Sequence, residues 1–135
     1  MKINFKSACY IFAISFLLVN CTKKKTMTNG ETIFKTGKNI QGQTLQDINK
    51  SEKKMAHSCS NCHGNDGKGS MMANVSIRYS DLSKPSLHKI PYNDILLIRF
   101  IDHELKSDST IANTGVVWKM NSQDKTDLIT YLKQL

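Results

Sequence analysis

The chain has 135 residues, a length that suits one domain. Its 19 lysines and arginines outnumber its 11 aspartates and glutamates, which gives a formal net charge of +8. The basic residues are scattered and are not interleaved with aromatic side chains, so the composition disfavours nucleic-acid binding. The positive charge favours solubility, and it would also steer the protein toward an acidic partner.

The first twenty residues have the pattern of an export signal. Lys2 and Lys6 precede an apolar run from Ala8 to Val19, which is too short to span a bilayer. Leu18-Val19-Asn20-Cys21 then resembles a bacterial lipobox, with Asn20 where a smaller residue is more usual. We predict a signal peptide over residues 1–20, lipid attachment at Cys21 and a location on the periplasmic side of a bacterial membrane. A signal without lipid and an uncleaved anchor are the alternatives.

Residues 21–29 are polar and basic and are predicted to form a tether. Its lysines, Lys23, Lys24 and Lys25, are placed to contact anionic lipid headgroups. Without Lys2 and Lys6 of the predicted signal, the formal charge falls from +8 to +6. The folded domain is predicted over residues 30–135.

The domain is predicted to begin with a short helix and a loop. Glu31 to Lys35 predicts the helix, which Gly37 would stop, and Gly42 marks a further turn. Gln41 to Lys54 is polar, with only Leu45 and Ile48 as apolar anchors, and is predicted to be a surface loop.

The segment Cys59-Ser60-Asn61-Cys62-His63 is the most informative of the chain. On one helical turn the two thiols point the same way, and His63, four residues after the first cysteine, shares that face. C-x-x-C-H is typical of c-type haem attachment, with Cys59 and Cys62 as thioether donors and His63 as the proximal iron ligand. A helix is predicted over about Met55 to Cys62, followed by a glycine-rich loop at residues 64–69 that allows the backbone to approach the macrocycle closely.

Other uses of this motif have less support. A thioredoxin-like redox motif would need a βαβ context, which the sequence lacks. A structural zinc site would need two further paired ligands, but His57, His88 and His103 are dispersed, and we expect His57 and His88 at the surface. A disulfide between Cys59 and Cys62 would close a very small loop and contribute little entropy. Haem attachment uses both cysteines of the predicted mature domain, because Cys9 and Cys21 belong to the signal and its processing site.

The second half of the domain predicts two longer helices. Pro85 and Pro91 bracket a non-helical stretch, and Pro91 is predicted in the first turn of a helix with an apolar face from Ile95 to Ile101. A polar stretch over residues 102–115 follows. The last helix is predicted to start after Asn121 or Ser122, with Leu128, Leu132 and Leu135 at helical spacing. No segment alternates with period two, so the fold is predicted to be all-α, with haem supplying the apolar centre of a small core.

Three segments resemble class I cytochrome c. Residues 59–69 (CSNCHGNDGKG) are similar to the family pattern C-x-x-C-H-G-x-D-G-x-G. Residues 30–38 resemble its N-terminal helix region, and residues 118–135 resemble its C-terminal helix. The resemblance implies helices wrapped around a covalently bound haem, with the N- and C-terminal helices crossing over one edge.

The chain departs from the family at the sixth iron ligand. In the family a methionine followed by proline commonly stands three residues before an aromatic residue, whereas here Gly115 and Val116 precede Trp118. Met120 is the first candidate, as a ligand or as a packing residue, and His103 is the alternative. Met71 and Met72 are more distant candidates, and the sixth position could also be open. Trp118 and Tyr131 are expected to line the pocket or to bond a haem propionate.

The sequence therefore predicts a monohaem c-type cytochrome. It would transfer single electrons between membrane or exported redox partner proteins, with haem c and its iron as the cofactor. The alternatives are a haem-based small-ligand binder or sensor, and a haem subunit of a larger oxidoreductase. No persuasive arrangement of catalytic acid, base or nucleophile is present, so the chain is not expected to be an enzyme by itself.

Overall fold

The computed structural model describes residues 26–55 and 57–135, so the predicted signal peptide and Cys21 lie outside the described residues. In chain order, the helices of this part are α1 (Asn29–Thr36), α2 (Cys59–His63), α3 (Tyr79–Leu82), α4 (Asp94–His103) and α5 (Ser122–Leu132). Extended segments in the described part pair only through isolated antiparallel bridges: Lys38 with Thr44, Gln46 with Trp118, and Leu105 with Ile111. The prediction of an all-α fold is confirmed. Within the same part, no helix is both long and apolar enough to cross a membrane.

Helices α1 and α5 cross and bury a hydrophobic cluster between them. Ile33 and Phe34 of α1 are fully buried, and they cluster with Leu128 and Leu132 of α5. The crossing is close because Gly30 faces α5, where an added Cβ would lie 2.0 Å from the carbonyl oxygen of Asp127. A side chain at this position would force the two helices apart.

The ends of α1 and α5 follow local capping signals. The Thr28 hydroxyl accepts the N–H of Glu31 at the start of α1, and Gly37 ends that helix in the left-handed region at φ 65°. The Asn121 side chain accepts the N–H of Asp124, so α5 begins at Ser122 as predicted. Asn29 then joins the two helices by donating to Asp124 (3.1 Å) and to Asp127 (2.8 Å).

Two other predicted helix starts are wrong. Helix α2 begins at Cys59 rather than near Met55, because the Ser58 side chain accepts the N–H of Asn61 and caps the helix there. Helix α4 begins at Asp94, beyond Pro91, because Asn93 caps it by accepting the N–H of Leu96. In both places a short polar side chain accepts a hydrogen bond from a free backbone N–H and so determines the residue at which the helix begins.

The prediction that residues 41–54 form a surface loop is also wrong in its centre. Leu45, Gln46, Asp47 and Ser51 are all at least 95% buried. Their polar groups bond to the segment just before α5, as when the N–H of Asp47 donates to the carbonyl of Val117 at 2.8 Å. The polar composition of this stretch reflects hydrogen bonding inside the fold rather than exposure to solvent.

Candidate haem site

Helix α2 presents the three side chains of the C-x-x-C-H motif to one cavity. Cys59, Cys62 and His63 all line it, as their spacing on a single turn requires. Ser58 caps the start of the helix, and the N–H of Gly64 donates to the carbonyl of Ser60 (2.9 Å) at its end. The motif is therefore held on a short helix fixed at both ends.

A backbone carbonyl orients the His63 ring. His63 Nδ1 lies 2.8 Å from the carbonyl oxygen of Val75, and it must donate because a carbonyl only accepts. This bond assigns the proton to Nδ1 and leaves Nε2 with the free lone pair. A second-nitrogen hydrogen bond of this kind is what orients histidines that ligate metals.

The loop between His63 and Val75 is folded tightly enough to bring that carbonyl into place. The N–H of Gly69 donates to the carbonyl of His63 at 2.9 Å, and the Ser70 hydroxyl donates to the carbonyl of Cys62. Gly69 has φ 112°, and a Cβ there would lie 3.0 Å from the Val75 nitrogen. Glycine is thus required at this position for two reasons, its backbone conformation and the close approach of residues 73–75.

The cavity has a volume of about 650 Å³, within the range of cofactor pockets. Its apolar lining includes Val75, Ile77, Leu87, Ile90, Leu97 and Phe100. Some apolar side chains of the lining are left largely uncovered by the protein. Leu87 is 60% exposed, and Met72, which also lines the cavity, is 70% exposed. A large apolar group in the cavity would cover them, so the lining fits haem in size, in polarity and in its unburied apolar surface.

Neither cysteine of the motif is in a disulfide, and both are available for thioether bonds. The pKa of the Cys59 thiol is raised to about 12, mainly by burial; a backbone hydrogen bond opposes this increase and the nearby Cys62 adds to it. A thiol with so high a pKa is protonated at neutral pH. This is the opposite of the lowered pKa that makes C-x-x-C pairs reactive in thiol–disulfide exchange.

The two candidates for the sixth ligand lie in different places. Met120 is 91% buried and lines the cavity, where it also packs with Ile33 and Phe34 in the core between α1 and α5. His103, the last residue of α4, is exposed and does not line the cavity. Ligation of iron stays a prediction for both residues.

The remaining side chains considered from the sequence are divided between cavity and surface. Trp118 lines the cavity, whereas Tyr131 does not and packs at the crossing of α1 and α5, with its ring 5.3 Å from that of Phe34. Met71 is fully exposed, and His57 is exposed.

His88 does not lie where the sequence placed it. It is half-buried, lines the cavity and contacts Tyr92 edge-on, with the ring centres 5.3 Å apart. The position of His88 between Pro85 and Pro91 was visible in the sequence. Tertiary contacts decide whether this irregular stretch faces the cavity or the solvent. One of them is the hydrogen bond from the N–H of Tyr92 to the carbonyl of Leu82 at 3.0 Å.

A helical fold that encloses an apolar cavity, with two free thiols and an oriented imidazole on its wall, defines a protein that holds haem covalently. The family model for cytochrome c matches residues 28–135, and the chain belongs to that family. The chain therefore binds haem c, with its iron, through covalent bonds, and its general role is electron transfer. Searches of the curated proteins and of the solved structures gave no match.

Proposed function

We propose that this chain is an exported, membrane-tethered monohaem cytochrome that passes single electrons between membrane-bound or exported redox partners. The observation that carries the proposal is the arrangement of Cys59, Cys62 and His63 on one face of α2, toward an apolar cavity of haem size. The sequence offers a single C-x-x-C-H motif, which matches one electron per molecule.

Each part of the site has a separate task in this role. Haem c, when bound, supplies a one-electron redox couple. Cys59 and Cys62 hold the group covalently, and His63 offers Nε2 to the iron while Val75 fixes its ring. The apolar lining excludes water, and the hydrophobicity around a metal site is one determinant of its potential. Weak contact with a partner is sufficient for such a carrier, because only an electron passes between the proteins.

The first experiment tests attachment and electron exchange together. The full chain is co-produced with haem-attachment machinery, and its spectrum is followed during a redox titration. We expect c-type absorption bands on reduction by dithionite and a one-electron Nernst curve. His63→Ala is the matched variant and should lose the native ferric spectrum. Absence of c-type bands in the wild type, or a native spectrum in His63→Ala, would contradict the assignment.

We further propose Met120 as the sixth iron ligand, supported by its burial in the cavity wall and by the exposed position of His103. Met120→Leu is the sharpest test, because it removes the sulfur while nearly conserving the volume that packs against Phe34. The ferric spectrum should change from low spin in this variant and remain unchanged in Met72→Leu and His103→Ala. A native spectrum in Met120→Leu would leave Met120 as a packing residue.

One observation favours a second function, the binding of a small ligand such as carbon monoxide or nitric oxide at an open sixth position. Gly115 and Val116 stand where the family has its methionine and proline, and Met120 already has packing partners in the core. Rapid binding of carbon monoxide by the reduced wild-type protein would support this function. A six-coordinate, low-spin ferric form whose reduced state ignores carbon monoxide would exclude it.

The membrane tether is proposed from the sequence of residues 18–25 and can be tested independently of haem. Cells grown with labelled palmitate should label the wild-type protein, and Cys21→Ser should abolish the label while the haem spectrum persists. Unlabelled wild type would reject lipid attachment.

A third possibility is that this protein is the haem subunit of a larger oxidoreductase. Co-purification of a stoichiometric catalytic chain would support it.

A further inference from the structure

An extended segment just before α5 forms one wall of the haem cavity. Its alternate residues Val116, Trp118 and Met120 all line the cavity, which is the period-two pattern of an extended chain. The backbone groups of the residues between them, Val117 and Lys119, bond to a different part of the chain. The position of this wall therefore depends on the residues to which its backbone bonds.

A turn over residues 45–51 provides that support. The N–H of Lys119 donates to the carbonyl of Leu45 (2.7 Å), and the N–H of Asp47 donates to the carbonyl of Val117 (2.8 Å). The Ser51 hydroxyl donates to the carbonyl of Asp47 (2.7 Å) and accepts the N–H of Val117 (3.0 Å). A single side chain thus closes the turn on itself and joins it to the wall.

A charged pair adds to these backbone bonds. The Asp47 carboxylate is almost completely buried and lies 3.2 Å from the ammonium group of Lys119, whose side chain is largely exposed. Asp47 also accepts the N–H of Asn49 at 3.2 Å within its own turn. Because a buried carboxylate is costly to leave unpaired, this pair disfavours separation of the turn from the wall.

We infer that Ser51 and Asp47 are positioning residues for the haem: they hold residues 115–120 so that Val116, Trp118 and Met120 close the cavity against water and small ligands. Neither Ser51 nor Asp47 lines the cavity, so they act through the wall. The inference rests on haem binding by this family member, and it uses Met120 only as one of three wall residues.

Ser51→Ala tests the inference in the full-length holoprotein. The variant leaves the partly buried N–H of Val117 without its acceptor, and loss of this one hydrogen bond should raise the fraction of molecules with an open wall about 2- to 10-fold. Carbon monoxide should bind the reduced protein faster by a similar factor, and the midpoint potential should fall because water near the haem favours the ferric form. Ser51→Thr, which keeps the hydroxyl, should restore both values.

Ser83→Ala is the matched control. Its hydroxyl also donates to a backbone carbonyl, that of Tyr79 at 2.8 Å, but that carbonyl belongs to α3 rather than to residues 115–120. Both readouts should stay at wild-type values in this variant. Asp47→Asn keeps the backbone bonds of the turn and should shift both readouts in the same direction by a smaller amount, which provides a test if Ser51→Ala fails to retain haem.

The outcomes separate this inference from the ligand proposal. Equal potentials and equal carbon monoxide rates in Ser51→Ala and Ser83→Ala would overturn the positioning role, even if Met120→Leu alters the ferric spectrum. Shifted values in Ser51→Ala together with a native spectrum in Met120→Leu would support the positioning role and reject Met120 as the ligand.

Discussion

The α1–α5 crossing and the haem cavity are two parts of one hydrophobic interior, but only the first is filled by the chain. At the crossing, Ile33 and Phe34 are completely buried against α5. On the cavity wall, Met72, Val75 and Leu87 remain more than half exposed although they are apolar. A small domain buries a smaller fraction of its surface on folding, and here the cofactor would cover apolar surface that the chain leaves exposed. Because the chain fills the crossing itself, the crossing should be stable without haem, whereas residues 71–92 on the cavity wall should not.

Removal of covalent haem should have the largest effect and should separate the two regions. In Cys59→Ala/Cys62→Ala the haem stain on a denaturing gel should disappear completely, because no thioether can form. Hydrogen exchange should then show unprotected amides over residues 71–92, while α1 and α5 stay the slowest to exchange. Equal loss of protection in both regions would show that the crossing also depends on haem.

Truncation at the crossing should be the next largest effect. Phe34→Ala removes a fully buried ring that packs 5.3 Å from Tyr131, and it should lower the free energy of unfolding by about 3–5 kcal/mol. Denaturant unfolding of the haem-free protein, followed by circular dichroism, measures this loss.

The matched truncation in the other region is Leu87→Ala, measured in the haem-free protein. Because Leu87 is largely exposed there, its loss should change stability by no more than about 0.5 kcal/mol. Similar costs at Phe34 and Leu87 would remove the distinction between the two regions.

The distance between the crossing helices should be sensitive to one methyl group. Gly30→Ala places a Cβ 2.0 Å from the Asp127 carbonyl oxygen, and backbone cannot move aside as a flexible side chain can. We expect a loss of about 1–3 kcal/mol from this overpacking, despite the better helix propensity of alanine. Gln123→Ala, on the exposed face of α5, is the control and should be nearly neutral. An unchanged melting temperature in Gly30→Ala would show that the helices can separate without cost.

The crossing was predictable from the sequence to a greater extent than the cavity. The ends of α1 and α5 depend on Gly37 and Asn121, which act within a few residues of their own positions. The C-x-x-C-H motif could be identified from the sequence just as well, because its three side chains share a single turn of helix. These features are local, so spacing and residue type are sufficient to find them.

The supporting turn and the short α3 were not predictable in the same way. Residues 45–51 look like a solvated loop until their partners 66–74 residues further along the chain are known. Helix α3 has only four residues and no periodicity, and Tyr92 holds its end through the carbonyl of Leu82. His88 was misplaced for the same reason. The cavity is formed by contacts between residues that are distant in the sequence, and local sequence patterns do not predict such contacts.

A charged contact between α4 and α5 should give the smallest effect and tests the boundary between the two regions. Lys133 donates to Asp94 at 2.7 Å and lies over the Tyr79 ring at 4.8 Å. The hydrogen bond from Lys133 lowers the pKa of Asp94, with help from Tyr79 and against a desolvation cost. A lowered carboxyl pKa contributes stability above the unfolded value near 4, and that stability is lost as the pH falls through the folded value.

Asp94→Asn should therefore be less stable than the wild type at pH 6 by at most about 1 kcal/mol, because the pair is half exposed and screened by solvent. Below about pH 3 the difference should shrink, since the wild-type carboxyl is then protonated as well. Denaturant unfolding of the holoprotein at both pH values, in low salt, measures the change. A difference that stays constant between the two pH values would mean that Asp94 joins α4 to the crossing through its neutral contacts rather than through its charge.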